Sequence, residues 1–85
     1  MINIKVNEVK KIIGTYQSQL YKNYYAVDVL VERGGLCFKI RYPYNTKDKV
    51  QGAINAIQNK KQNDLQRPDY LPCVFIQQQN NVRKR

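Results

Sequence analysis

Eighty-five residues with 42% hydrophobic and 25% charged composition suffice for one small folded domain, and no apolar run approaches the roughly 20 residues that span a bilayer. Fifteen Lys and Arg against six Asp and Glu leave a net charge of +9, which points to an anionic partner, while the absence of histidine removes the usual proton carrier near neutral pH. Two cysteines, Cys37 and Cys73, are too few for a disulfide framework or a Cys/His zinc site, so they read as buried free thiols in a reducing compartment.

The chain opens MINIKVNEVKK, without a basic stretch followed by an apolar one, and this start favours an intracellular, cytoplasmic protein. Ile2, Ile4 and Val6 alternate with Asn3 and Lys5, the period of a half-buried strand. From Asn7 the period changes. Val9, Ile12, Ile13, Tyr16 and Leu20 recur at helical spacing behind an Asn7 cap, which predicts a first helix to about Lys22 in spite of Gly14.

Tyr25, Val27, Val29 and Val31 then alternate with Tyr24, Ala26, Asp28, Leu30 and Glu32. After Gly34-Gly35 the alternation resumes, with Leu36, Phe38, Ile40 and Tyr42 on one side and Cys37, Lys39 and Arg41 on the other. Both glycines tolerate positive φ, so the pair predicts a two-residue hairpin loop. That loop sets Val31 opposite Phe38, Val29 opposite Ile40, Val27 opposite Tyr42, and Asp28 opposite Arg41. Pro43 is expected to end the strand, and Asn45 or Thr46 to cap a second helix with Val50, Ala53, Ile54 and Ile57 as its buried stripe. QNDLQRPDYLP, residues 62–72, has loop composition; LPCVFI, residues 71–76, reads as a last strand; and residues 77–85 form a polar, basic tail.

The expected order is therefore β-α-β-β-α-β, a ferredoxin-like (split βαβ) α+β domain over residues 1–76 with two helices on one face of an antiparallel sheet. Without the first strand it reduces to α-β-β-α-β. RNA recognition domains share this topology and stack bases on sheet aromatics, but the outward positions here hold Asn3, Lys5, Lys39 and Arg41. The likeness is one of topology alone.

No enzyme is expected, because the six acids show no catalytic or metal-binding spacing, and no cofactor or metal is implied. Asp28, Glu32 and Lys39 share one side of the hairpin, a set of groups that a metal-dependent nuclease uses, yet Asp28 opposite Arg41 makes an ion pair the simpler role. Among the tyrosines, Tyr16, Tyr25 and Tyr42 read as core, and Tyr21, Tyr24, Tyr44 and Tyr70 as freer groups. The charge excess lies outside the hairpin: residues 23–44 carry +1, whereas residues 1–22 and 70–85 carry +3 each.

These features favour a small nucleic-acid-binding protein, DNA-binding or RNA-binding, with Lys5, Lys10, Lys11, Lys39, Arg41, Lys60, Lys61, Arg83, Lys84 and Arg85 on phosphates and Tyr24 as an accessory stacking group. The alternative is a protein-interaction module or small inhibitor, of the kind phages and mobile elements encode, docking on an acidic protein or a nucleic-acid-processing complex. An open strand edge would also permit a homodimer. No helix pairs a wide basic face with large exposed apolar residues, so a membrane partner is not expected.

Overall fold

The computed structural model describes residues 4–61, 67–68 and 70–76. A 3-10 turn, Val6–Glu8, leads into strand β1, Val9–Gln17, followed by β2, Tyr25–Arg33, and β3, Leu36–Tyr44. The helix α1, Lys47–Asn59, precedes the short strand β4, Val74–Phe75. The sheet has the order β1-β2-β3-β4, and every neighbouring pair is antiparallel.

This arrangement overturns the ferredoxin-like expectation and also its α-β-β-α-β reduction: the described residues hold one α-helix, and the segment read as a first helix is the edge strand β1. Two β-bulges explain the false helical period. The pairing steps from Val9↔Val31 to Lys11↔Leu30 and from Ile12↔Val29 to Gly14↔Asp28, so an extra residue enters at Lys10 and again at Ile13. Each insertion stretches the spacing of core-facing residues from two to three. Val9, Ile12 and Thr15 consequently share a face at the interval that a helix would also produce. Local preference agrees with the strand, since VKKIIGTYQ is rich in β-branched residues and has a glycine at its middle. Residues 1–3 of the expected first strand lie outside the described residues, and its end at Val6 belongs to the 3-10 turn.

The β2–β3 hairpin follows the sequence pairing throughout, from Tyr25↔Tyr44 to Arg33↔Leu36. Gly34 and Gly35 have φ of +61° and +81°, the double positive φ that a two-residue loop demands. β3 runs on through Pro43 instead of ending there. β4 pairs only with Ile40 and Arg41, so β3 is an open edge at Pro43, where the missing N–H breaks no ladder bond. The last strand is shorter than LPCVFI predicts, and the tail 77–85 lies outside the described residues.

One sheet face carries the core. Val27, Val29, Val31, Ile40, Tyr42 and Tyr44 pack beneath Val50, Ala53, Ala56 and Ile57 of α1, with Ile4 and Val6 closing one end. Each fully buried Val or Ile contributes about 1.5–3 kcal/mol. Tyr44, expected among the freer tyrosines, is 2% exposed because it continues the inward parity of β3. The cysteines differ from expectation: Cys37 is exposed on the outward parity, and Cys73 is half-buried against the core.

Thr46 caps α1 by accepting from the Lys49 N–H at 3.2 Å. At the other end Lys60 adopts φ +58°, a left-handed position that favours glycine. Lys60→Gly is therefore expected to stabilise the fold by about 0.5–1 kcal/mol, measured by urea denaturation. The N-terminal turn is fastened by Glu8, whose carboxylate accepts from Arg33 Nε at 2.7 Å, from Arg33 Nη2 at 2.8 Å and from the Lys5 N–H at 2.8 Å. These bonds, the Arg33 one first, hold the Glu8 carboxyl at about 2 instead of 4.5. A depressed carboxyl stabilises the native state above its unfolded pKa, and that contribution fades as pH falls from about 4.5 toward 2. The thermal midpoint is expected to drop across that window in the wild type and to drop less steeply in Glu8→Gln.

Candidate nucleic-acid interface on the open sheet face

α1 covers one face of the sheet, and strand alternation directs the remaining side chains to the other. The registers align these side chains in cross-strand rows. Tyr16, Ala26 and Pro43 form the first row; Gly14, Asp28, Arg41 and Val74 the second; and Lys11, Leu30 and Lys39 the third. Glu32 and Cys37 form the last, with Lys10 Nζ 2.9 Å from Glu32 Oε1.

Arg41 organises the middle of this face. Its Nε and Nη2 donate to Asp28 Oδ1 and Oδ2, both at 2.9 Å, in the parallel geometry that gives an arginine–carboxylate pair its strength. Asp28 is 9% exposed, so the pair is partly desolvated. The guanidinium carbon also lies 3.7 Å from the centroid of the Tyr16 ring, a cation–π contact. Tyr16 in turn meets Tyr24 edge to face, with centroids 6.3 Å apart and planes at 84°. Burial, opposed by the neighbouring Arg41 charge, raises the Tyr24 hydroxyl above its ordinary range, so it stays protonated at neutral pH. The hydrogen bond with Glu32 raises Lys10, which likewise stays charged.

The predicted site residues divide into three groups. Lys10, Lys11, Tyr24, Lys39 and Arg41 come together on the open face. Lys5 lies at the start of the 3-10 turn, and Lys60 and Lys61 lie at the C-terminal end of α1, which covers the other face. Arg83, Lys84 and Arg85 lie outside the described residues. Within the gathered group Arg41 and Lys10 are paired with carboxylates, whereas Lys11 and Lys39 have no ion-pair partner among the described residues.

On this face sequence reasoning also misplaced Tyr16, because its assignment to a helical core stripe followed from the bulged strand. The available signal was parity: a strand over VKKIIGTYQ sets Tyr16 opposite Ala26, on the outward side of β2. Among the described residues no group of three or more His, Cys, Asp or Glu could hold a metal ion. No described helix is long and apolar enough to cross a membrane.

Asp28→Asn removes the charge that clamps Arg41 and is expected to cost about 1–2 kcal/mol of stability in urea denaturation. Comparison of the chain with protein families, with curated proteins and with solved structures found no match.

Proposed function

We propose that the protein binds nucleic acid through the open face of its sheet, chiefly by contacts to phosphates. The observation that carries this reading is Lys11 and Lys39: two cations of one side-chain row, without a carboxylate partner among the described residues, on the face opposite α1 in a chain of charge +9. Lys10 and Arg41 border that row, and the remaining positive charge steers a polyanion toward the molecule from a distance. Such binding weakens steeply with salt, because phosphate neutralisation releases condensed counterions.

A second reading, a docking module for an acidic protein or a nucleoprotein, is favoured by a different surface. Leu36 is 69% and Phe75 57% exposed on the helix side of the β3–β4 edge, where Phe38 and Phe75 meet at 5.6 Å. Affinity purification with and without nuclease separates the two readings, since a stoichiometric protein partner that survives nuclease supports the second.

For the first reading, fluorescence titration against labelled oligonucleotides at several salt concentrations is expected to give affinity falling linearly on a log–log plot. Replacing Lys11 and Lys39 together by Gln should weaken binding and reduce that slope by roughly 0.7–0.9 per lysine. Glu32→Gln, which releases Lys10 from its pair, should tighten binding and steepen the slope. Absence of binding at low salt overturns the proposal.

A further inference from the structure

We propose that the Tyr16–Tyr24 pair is a stacking site for unpaired bases, so that the nucleic acid this face takes is single-stranded. The inference deepens the nucleic-acid reading and rests on it. Three features of the open face carry it.

The rings are set before any ligand arrives. Asp28 fixes Arg41 by two hydrogen bonds, Arg41 lies against the Tyr16 ring at 3.7 Å, and Tyr24 meets Tyr16 at 84°. A stacking group that is already ordered loses little conformational freedom on binding.

The surroundings leave room beside the rings. Gly14, the outward residue before Tyr16 on β1, has no side chain. A Cβ built at Gly14 would meet nothing within 4 Å, so the sheet is uncovered at Gly14, while the Arg41 guanidinium takes one face of the Tyr16 ring. The adjoining β1–β2 loop, residues 18–24, adds Lys22 and Tyr21, the latter 68% exposed, and encloses a cleft of about 380 Å³ that reaches Tyr24.

Phosphate partners stand at a fitting distance. Lys39 lies four residues before Pro43 on β3, so the Lys11–Lys39 row is about 13 Å from the Tyr16 row, a span of a few nucleotides. A strand with one base on the tyrosines can thus run its backbone over both lysines.

A duplex suits this molecule less well. Paired and stacked bases hide the faces that tyrosine would engage. The element that could enter a major groove, α1, lies in the other layer, and its exposed middle offers the neutral Gln51, Asn55 and Gln58. At the hairpin tip Arg33 is already held by Glu8. Stacking is indifferent to the sugar, so DNA and RNA single strands share the required chemistry.

The test is a fluorescence-anisotropy titration of the full chain at one salt concentration with labelled oligothymidylate, oligouridylate and a DNA duplex of equal length. Single strands are expected to bind at least about fivefold more tightly than the duplex, and the tighter of the two identifies the natural source. Tyr16→Leu and Tyr24→Leu are expected to weaken single-strand binding by roughly five- to a hundredfold, and Tyr16→Phe and Tyr24→Phe to restore it. A duplex bound as tightly as the single strands, or folded leucine variants with undiminished affinity, overturns the stacking site and leaves the phosphate-binding reading intact. Failure of every oligonucleotide to bind overturns that underlying reading instead.

Because Tyr16 supports Arg41, a leucine variant that unfolds is replaced by a measurement on the wild type. The ring-proton NMR resonances of Tyr16 and Tyr24 should move upfield on saturation with oligothymidylate and stay in place with heparin, which has charge but no bases. Unmoved rings in the saturated oligothymidylate complex overturn the proposal.

Discussion

The register of the β2–β3 hairpin is the constraint on which both the core and the open face depend. Side chains alternate across a strand, so a slip of one residue would turn Val27, Val29 and Val31 to solvent and drive Asp28, Arg41 and Lys39 under α1. Several valines lost from the core at about 1.5–3 kcal/mol each would consume most of the stability of a domain this small. Gly34 and Gly35 enforce the register locally through their positive φ. The Asp28–Arg41 pair enforces it again from the other face, since its two hydrogen bonds form only when those residues stand opposite each other.

That same pair limits what Arg41 can do. An arginine held by a carboxylate and lying against a tyrosine ring is no longer a free phosphate ligand; it is a part of the scaffold that orients the ring. Lys10 is similarly engaged by Glu32. The open face therefore divides its labour in the proposed binding mode: Lys11 and Lys39 supply charge, and Tyr16 and Tyr24 supply flat apolar surface. The larger part of the +9 sits elsewhere on the chain and acts over distance, with a reach of about 10 Å at ordinary ionic strength.

The bulges in β1 serve this arrangement twice. They bring Tyr16 opposite Ala26 and Gly14 opposite Asp28, which sets the ring within reach of the Arg41 guanidinium. They also interrupt the hydrogen-bonding pattern of a nine-residue edge strand, and Lys10 and Ile13 as extra residues make that edge a poor template for another strand. The opposite edge is guarded differently, by a two-residue β4 and by a proline in β3.

Where the physics was local, the residues alone were enough. Gly-Gly between two alternating runs determined the hairpin, its pairing and the Asp28–Arg41 ion pair, and the Thr46 cap with its apolar stripe determined α1. Val50, Ala53 and Ile57 are buried as expected, with Ala56 beside them and Ile54 at the margin. Tyr24 and Lys39 were legible as outward groups for the same reason, because parity follows from the hairpin. The tertiary structure decided β1 and Tyr16, and with them that the segment after Asn7 is a strand and no helix. A bulge is a property of a strand pair, formed only when β2 lies alongside, and by inserting a residue it converts a period of two into a period of three that a single chain cannot tell from a helix. The meeting of Tyr16 with Arg41 across two strands is a consequence of that pairing, so no spacing within the chain could announce it.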